Sequence, residues 1–286
     1  GFGGKTNLAS THHVATLLES PVILILDASK TSRSIAATAL GFTKFHKNSR
    51  ISGIILNKIG SKKHENLCRS ALGSLKIPII GVIPKNSLVN LESRHLGLIP
   101  VREQKQLHNK IKQLAKEISD YLDFDLIEKI CKATSSLEKI KPVKTKKPKI
   151  AIAIALDNSF NFYYHDNIEA LRREGAKIKF FSPISDKKIP NCDLIYLGGG
   201  FPEILASSLE KNSSMKKSIK SNAENGTPIY AECGGLMYLT NSITYGHKKS
   251  KMVGLFDVDT VMTKKMTLNY TEGKINSNCL ISNPRN

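Results

Sequence analysis

Apolar runs alternate with amphipathic stretches along the first half of the chain. Three of these runs are rich in β-branched residues and predict buried strands: 22–26, 51–56 and 77–83. The stretches that follow them carry apolar residues at helical spacing, and the last, 104–122, predicts a closing helix. Continuous apolar strands separated by helices are typical of a parallel sheet covered on both faces, so the pattern predicts βαβ units.

The same alternation starts again after a run of lysines and prolines in the middle of the chain. Four apolar runs predict strands: 150–156, 177–181, 194–197 and 228–231. One amphipathic stretch, 167–175, predicts a helix that stops at a glycine. The composition of the middle run, 138–149, is typical of a solvated linker. The sequence therefore predicts an α/β protein of two domains, 1–137 and 150–286, each a mostly parallel sheet with helices on both faces.

Composition narrows the classes of protein to which the chain can belong. Its 286 residues fit about two domains, and its 40% of hydrophobic residues can form their cores. No stretch approaches the roughly 18 uninterrupted apolar residues of a membrane-spanning helix, and no signal peptide is visible. The five cysteines are scattered and none has CxxC spacing, which favours a reducing cytosol over disulfides or zinc. We therefore predict a cytoplasmic protein with no membrane partner and no metal-ligand cluster.

The chain is strongly basic, with 43 Lys and Arg against 24 Asp and Glu and a formal net charge of +19. A charge of this size suggests nucleic acid as a partner. Only 8 of the basic residues are arginines, however, and arginine is the side chain suited to bidentate contacts with phosphate and guanine. The densest basic run also lies in the linker. We therefore attribute the charge to a lysine-rich surface and predict no nucleic-acid partner.

The sharpest local feature is a short apolar strand that ends at Cys233, with two glycines directly after it and a helix predicted from Leu236. This order is the layout of a nucleophile elbow, in which small residues permit a tight strand-to-helix turn and the thiol lies at the positive end of a helix. The Gly234 amide would then be available to stabilise an oxyanion. A buried cysteine beside a flexible turn is the alternative, because no base for the thiol is visible.

A second predicted strand, 194–197, runs directly into Gly198, Gly199 and Gly200. The carboxyl ends of parallel strands share one edge of a sheet, so these glycines can point N–H groups toward an oxyanion near Cys233. A plain glycine-rich turn is the alternative reading of this segment.

Seven segments together resemble, in order, the signatures of the cobyrinic acid a,c-diamide synthase family. Three lie in the second half of the chain: 157–164, 198–203 and 231–239. Four lie in the first half: 9–15, 22–29, 53–58 and 92–98. The resemblance implies a P-loop-like, ATP-dependent ligase domain followed by a flavodoxin-like, class I-type glutamine amidotransferase domain.

The resemblance also implies roles for the matching residues. Cys233 would be the glutaminase nucleophile, and Gly199, Gly200 and Gly234 are candidates for the oxyanion hole. In the first domain Asp27 would support Mg²⁺ and Asn57 would recognise adenine, whereas a helix N-cap and a turn former are the respective alternatives. A polar group in a loop would face a tetrapyrrole substrate or be solvated: Glu92, Arg94 and His95.

Two departures from the family pattern accompany the match. There is no Gly-x-x-x-x-Gly-Lys-[Ser/Thr] phosphate loop, and the segment 3–6 lacks both the first glycine and the preceding strand. The family's distal glutaminase histidine is also missing, because His247 is the only histidine after Cys233 and fits a surface residue better than a base. We therefore expect the chain to be an internal fragment that cannot complete either half-reaction.

The implied activity of the full-length protein is the glutamine- and ATP-dependent amidation of the a and c carboxylates of cobyrinic acid in cobalamin biosynthesis. Ammonia would pass from the second domain to the first, and basic residues would suit the polycarboxylate substrate. Nickel-sirohydrochlorin and hydrogenobyrinic acid are alternative macrocycles for the same chemistry. From other classes, a partitioning-type ATPase and a non-catalytic binding protein with an inactive amidotransferase domain remain open.

Overall fold

A computed structural model describes residues 6–85, 107–133 and 144–263, together with positions 273, 274, 276 and 279. The chain divides into two compact units, Gly1–Lys139 and Ile140–Asn286. Both contain parallel strands covered by helices, so the predicted α/β class is confirmed. No helix of the described part of the chain is long and apolar enough to cross a membrane.

The first unit is built on a parallel sheet in the order β1-β2-β3. Its strands are β1 (Val22–Asp27), β2 (Ile51–Ile59) and β3 (Ile79–Pro84), which correspond to the three predicted apolar runs. The helices are α1 (Thr11–Leu17), α2 (Ser34–Lys44), α3 (Lys62–Leu72), α4 (Leu107–Ser119) and α5 (Phe124–Lys132), and one turn of 3-10 helix covers Gly73–Leu75. The helix predicted over 104–122 is thus observed as α4.

Helices cover the two faces of this sheet through apolar side chains at helical spacing. On one face α2 and α3 bury Ile35 and Leu72 against Leu56 of the central strand. On the other face α5 places Ile130 against Ile55 and Ile80. The central strand β2 is therefore the most buried, which explains its continuous apolar sequence.

The second unit contains a four-stranded parallel sheet in the order β5-β4-β6-β7. Its strands are β4 (Ile150–Ala155), β5 (Ala176–Phe181), β6 (Leu194–Leu197) and β7 (Ile229–Ala231). The helices are α6 (His165–Arg173), α7 (Ala206–Lys211), α8 (Ser213–Glu224) and α9 (Gly234–Leu239). The last helix therefore starts two residues before the predicted Leu236, directly after Cys233.

A small second sheet, absent from the sequence prediction, follows α9 in the order β10-β8-β9. It consists of β8 (Ser242–Tyr245), β9 (Lys248–Lys251) and β10 (Asp259–Val261). These strands have three or four residues, and β9 carries three lysines. Such short, polar strands produce no apolar run, so the pattern that predicts buried strands does not detect them.

Part of the segment predicted as a linker lies against the second unit. The amides of Lys146 and Lys149 donate hydrogen bonds of 2.9 Å to the carbonyl oxygens of Arg173 and Gly175, at the end of α6. The Lys146 ammonium also pairs with the carboxylate of Glu174. These residues therefore lead directly into β4.

Candidate functional site

Cys233 lies in a strained turn between β7 and α9. Its backbone has φ 48° and ψ −111°, a combination that residues other than glycine rarely adopt. Neighbouring hydrogen bonds stabilise the turn, because the Glu232 carbonyl accepts from the Gly235 amide at 2.8 Å and the Glu232 amide donates to the Leu197 carbonyl at 2.9 Å. The cysteine is exposed. The turn therefore presents the thiol to solvent at the carboxyl edge of the sheet, and the alternative of a buried structural cysteine is wrong.

Gly235 allows the amino end of α9 to pack directly on strand β6. A Cβ atom at this position would lie 2.2 Å from the carbonyl oxygen of Leu197, far inside the van der Waals limit. Only glycine fits there without a backbone shift. The second glycine after Cys233 is therefore required for steric reasons.

The pairing of β6 with β7 brings the glycine segment next to the thiol. Leu197 is opposite Ala231 in the register, so both strands end at the same edge. A Cβ atom on Gly199 would lie 3.7 Å from the Cβ atom of Cys233. A Cβ atom on Gly234 would lie 3.3 Å from the amide nitrogen of Gly200. The four residues predicted for nucleophile and oxyanion hole are therefore adjacent in space.

Two amide groups beside the thiol have no hydrogen-bond acceptor among the described residues. Neither the Gly200 N–H nor the Gly234 N–H donates to any residue that the structure describes. The N–H group of Gly234 is one of the unpaired amides at the amino end of α9. Free donors directed at a nucleophile can stabilise negative charge that develops on a carbonyl oxygen during attack.

Glu232 lies beside two tyrosine hydroxyl groups, those of Tyr196 and Tyr230. The Tyr196 hydroxyl donates to the Glu232 carboxylate at 3.4 Å. Burial and the neighbouring Glu232 carboxylate raise the pKa of Tyr196 to about 12, and hydrogen bonding to the same carboxylate raises the pKa of Tyr230. Both hydroxyl groups are therefore protonated donors at neutral pH. The sequence does not indicate this cluster, because Tyr196 lies in β6 whereas Tyr230 and Glu232 lie in β7 and directly after it.

His247 lies exposed in the turn between β8 and β9, as expected for a surface residue. The polar group predicted to face a substrate, residues 92–95, lies outside the described residues, as does most of the segment 3–6. In the part of the chain that the structure describes, no group of three or more His, Cys, Asp or Glu side chains could hold a metal ion.

In the first unit Asp27, at the end of β1, forms an ion pair with Lys58 at 2.6 Å. Its other carboxylate oxygen accepts from the Ser29 amide at 2.9 Å and the Ser29 hydroxyl at 2.6 Å. The bond to Lys58 and the two bonds from Ser29 hold the pKa of Asp27 well below its usual range. Asp27 does not cap a helix, because α2 begins only at Ser34, so the N-cap alternative is wrong.

Asn57 lies on the rim of a cleft of about 1400 Å³ at the carboxyl edge of this sheet. Its side-chain oxygen accepts from the Lys58 amide at 3.0 Å, and its main-chain carbonyl accepts from the Ala28 amide at 2.8 Å. The cleft is also lined by cationic and polar side chains: Ser29, Lys30, Lys58, His64 and Lys85. Two acidic side chains, Glu117 and Asp120, line the cleft as well, so its three lysines give it only a small excess of positive charge. The structure therefore places Asn57, and the residues paired with Asp27, around one opening.

His64 joins the two loops that border this cleft. Its Nδ1 accepts from the Gly60 amide at 3.2 Å, so Nε2 carries the proton and donates to the Thr31 carbonyl at 2.6 Å. The loop after β1 and the loop after β2 are thereby connected by one imidazole. The sequence does not indicate this role, because Thr31 and Gly60 are 33 and 4 residues from His64 and the contact over 33 residues has no sequence motif.

Two family models match the chain. A CobB/CobQ-like glutamine amidotransferase domain matches residues 151–283, which include the Cys233 turn. A CobQ/CobB/MinD/ParA nucleotide binding domain matches residues 3–99, which include Asp27 and Asn57. The order of the two matches is that of the two structural units.

Curated relatives named cobyrinate a,c-diamide synthase are similar to nearly the whole chain. The relative from Listeria innocua is 40% identical over an alignment 273 residues long, which covers 93% of this chain and 60% of the relative. The relative from Methanococcus vannielii is 41% identical over an alignment of 295, which covers 98% of this chain and 64% of the relative. The relative from Methanosarcina acetivorans is 36% identical over an alignment of 312, which covers 100% of this chain and 63% of the relative. The chain therefore spans less than two thirds of the length of these relatives.

Proposed function

The chain belongs to the cobyrinate a,c-diamide synthase family, and from this we propose that it is part of an ATP-dependent ligase that takes ammonia from glutamine. The observation that carries the glutaminase half is the Cys233 turn, with the free amides of Gly200 and Gly234 beside the thiol. A nucleophile next to preorganised donors is the arrangement that acyl transfer requires.

The proposed chemistry at Cys233 is the release of ammonia from the side-chain amide of glutamine. The thiol loses its proton to a base and its sulfur attacks the amide carbon, which forms a C–S bond and places negative charge on the amide oxygen. The N–H groups of Gly200 and Gly234 stabilise that oxyanion. The nitrogen takes up a proton and leaves as ammonia, and water then hydrolyses the γ-glutamyl thioester.

For the ATP-dependent half we propose that the charged cleft of the first unit binds the nucleotide. Its lysines suit phosphate oxygens. Within the described ranges the Asn57 side chain is engaged only through its oxygen, by the Lys58 amide, so its N–H donors can face a ligand. ATP, when bound, activates a substrate carboxylate as an acyl phosphate that ammonia can attack. The relatives' name favours cobyrinate as the carboxylate substrate.

The side chain of Asp27 does not fit a direct Mg²⁺ ligand in this structure. Both carboxylate oxygens accept hydrogen bonds, and one of them is neutralised by Lys58. We therefore assign no step to a metal at Asp27. Instead Asp27 orients the Lys58 ammonium at the rim of the nucleotide cleft.

The glutaminase assignment is tested by Cys233→Ala in the full-length protein. Amidation of cobyrinate with glutamine should fall to background, whereas amidation with added ammonium should remain, because ammonium bypasses the thiol. Cys131→Ala, which alters another exposed cysteine, is the control and should leave both activities unchanged. Retained glutamine use by the Cys233 variant would contradict the assignment.

The macrocycle is tested with the same protein by comparing cobyrinate, hydrogenobyrinate and nickel-sirohydrochlorin as acceptors. We expect cobyrinate to be amidated with the highest kcat/KM. A partitioning-type ATPase is disfavoured, since the chain that matches the CobQ/CobB/MinD/ParA model also carries the amidotransferase match.

A further inference from the structure

An aromatic loop, defined here as residues 157–163, follows β4 and lies against the glycine segment that borders the thiol. The amides of Asn161 and Phe162 both donate to the carbonyl oxygen of Gly199, each at 3.1 Å. The carbonyl oxygen of Ser159 approaches Gly200 so closely that a Cβ atom there would lie 2.0 Å from it. The loop and the glycine segment are therefore in backbone contact, which leaves no space for a side chain at Gly200.

These two hydrogen bonds decide the direction of the Gly199–Gly200 peptide. In a trans peptide the C=O and N–H groups point to opposite sides. Because the Gly199 carbonyl faces the aromatic loop, the Gly200 N–H faces away from it, toward Gly234. A reversal of this peptide would break both bonds and turn a carbonyl oxygen, which repels an oxyanion, toward the thiol.

Tyr163 fixes the Leu197–Gly198 peptide, which lies two peptides before the Gly199–Gly200 peptide. Its hydroxyl accepts the Gly198 N–H at 2.8 Å and donates to the carbonyl oxygen of Ala155 at the end of β4. Its ring occupies the space where a Gly198 side chain would lie, and it packs edge-to-face on Tyr196 with ring centroids 5.2 Å apart. Burial raises the pKa of Tyr163, so the hydroxyl keeps the proton that it donates.

Asp157 holds the beginning of the aromatic loop. One of its oxygens accepts from the Ser159 and Phe160 amides at 2.7 and 3.3 Å. The other accepts from the Ser182 hydroxyl and the Ile184 amide, both at 2.9 Å. Four hydrogen bonds on one carboxylate connect the loop to the segment after β5 and restrict its movement relative to the sheet.

We propose that Tyr163 is a positioning residue for the glutaminase reaction, which acts by holding the Gly198–Gly200 backbone so that the Gly200 N–H faces the oxyanion. Asp157 supports the same loop from its beginning. Neither side chain contacts the reacting atoms in this scheme. The inference rests on the proposed function of Cys233.

Tyr163→Phe in the full-length protein tests the proposal, because it keeps the ring and removes the hydroxyl. We expect kcat for glutamine hydrolysis to fall about tenfold, less than the loss of 10²–10³ on removing an oxyanion donor outright, because the Gly200 amide itself remains. KM for glutamine should change less than about twofold, since the hydroxyl does not contact substrate. Tyr164→Phe, at a neighbouring tyrosine that is 80% exposed, is the matched control and should behave as wild type.

A second readout separates positioning from general damage to the fold. Alkylation of Cys233 by iodoacetamide displaces iodide and forms no oxyanion, so its rate in the Tyr163→Phe variant should equal that of wild type. Ammonium-dependent amidation should also be unchanged. Equal losses in alkylation and hydrolysis would overturn the proposal, because the hydroxyl would then support the thiol turn as a whole.

The same experiments distinguish the two levels of inference. Wild-type hydrolysis by Tyr163→Phe, together with inactive Cys233→Ala, would overturn the role of Tyr163 and leave the proposed function intact. Glutamine hydrolysis by Cys233→Ala would overturn the proposed function itself. A tenfold loss confined to kcat of the Tyr163 variant supports both.

Discussion

Single residues at the Cys233 turn show how sequence and backbone strain combine in this protein. A backbone with φ 48° and ψ −111° at a non-glycine residue costs about 1–3 kcal/mol and persists only where its surroundings enforce it. Here the enforcing contacts come from Glu232 and Gly235 on either side of the cysteine. The turn could be predicted from the sequence because two glycines, which permit a tight turn, directly follow the cysteine.

The close packing of Gly235 on β6 can be tested by substitution. Gly235→Ala would place a methyl group 2.2 Å from the Leu197 carbonyl oxygen, so the free energy of unfolding of the second unit should fall by about 3 kcal/mol. Gly246→Ala is the control. The φ of 62° at Gly246 is unfavourable for alanine, but a Cβ atom there would have nothing within 4 Å, so the free energy of unfolding should fall by only about 1 kcal/mol. Urea unfolding followed by circular dichroism measures both, and equal costs would contradict the clash.

In both units the candidate site residues lie where parallel strands end. The β6 and β7 ends carry the glycine segment and the cysteine, and the β1 and β2 ends carry Asp27 and Asn57. In the register Asp27 is directly opposite Asn57. Parallel pairing therefore places polar groups from distant parts of the chain side by side.

The Asp27–Lys58 pair, which joins the ends of β1 and β2, yields a pH prediction. The hydrogen bond from Lys58 is the main reason for the lowered pKa of Asp27, so Lys58→Met should raise that pKa toward its ordinary value of 3.8. In wild type the ionised carboxylate is favoured by folding. Its stabilising contribution is therefore complete above the pKa of the unfolded state and is lost as the pH falls toward the lower folded value.

Carboxyl-carbon NMR titration of Asp27 measures this change. Lys62→Met is the control, because the Lys62 ammonium pairs with Glu65 at 2.8 Å and not with Asp27. The Asp27 titration should be unchanged in the control. Identical curves in the two variants would show that another group lowers the pKa.

The chain contains two α/β units, each with its own candidate site. Its net charge of +19 comes mainly from lysines. Nucleotide phosphates and polycarboxylates are anions, so part of that charge suits the ligands that we propose. The lysines on the cleft that we assign to the nucleotide are an example.

Weak, sequence-independent binding to DNA is the prediction at the molecular scale. The net charge of +19 should give duplex DNA a Kd of about 10⁻⁴–10⁻⁶ M at physiological salt, with affinity that falls steeply between 50 and 200 mM salt. Fluorescence anisotropy with two duplexes of unrelated sequence measures it. A tight complex that depends on sequence and survives at the higher salt would overturn the reading of the charge as a surface property.

The α/β class, the main strands and the strand-to-helix turn at Cys233 follow from the sequence alone. These features depend on residues that are close in the sequence: apolar runs, helical spacing and glycines beside a cysteine. They can therefore be predicted without knowledge of the fold. The short β8–β10 sheet was missed because its strands carry no such run.

Which of these groups are in contact depends on the tertiary structure. The order β4-β6-β7 brings Gly200 beside Gly234 and inserts the Tyr163 hydroxyl between Ala155 and Gly198, residues 8 and 35 positions away. The ion pair of Asp27 and the two bonds of His64 likewise depend on partners from other strands and loops. Such contacts arise from strand pairing across long separations, which leaves no periodic trace in the sequence, and they set the direction of the groups to which we assign the chemistry.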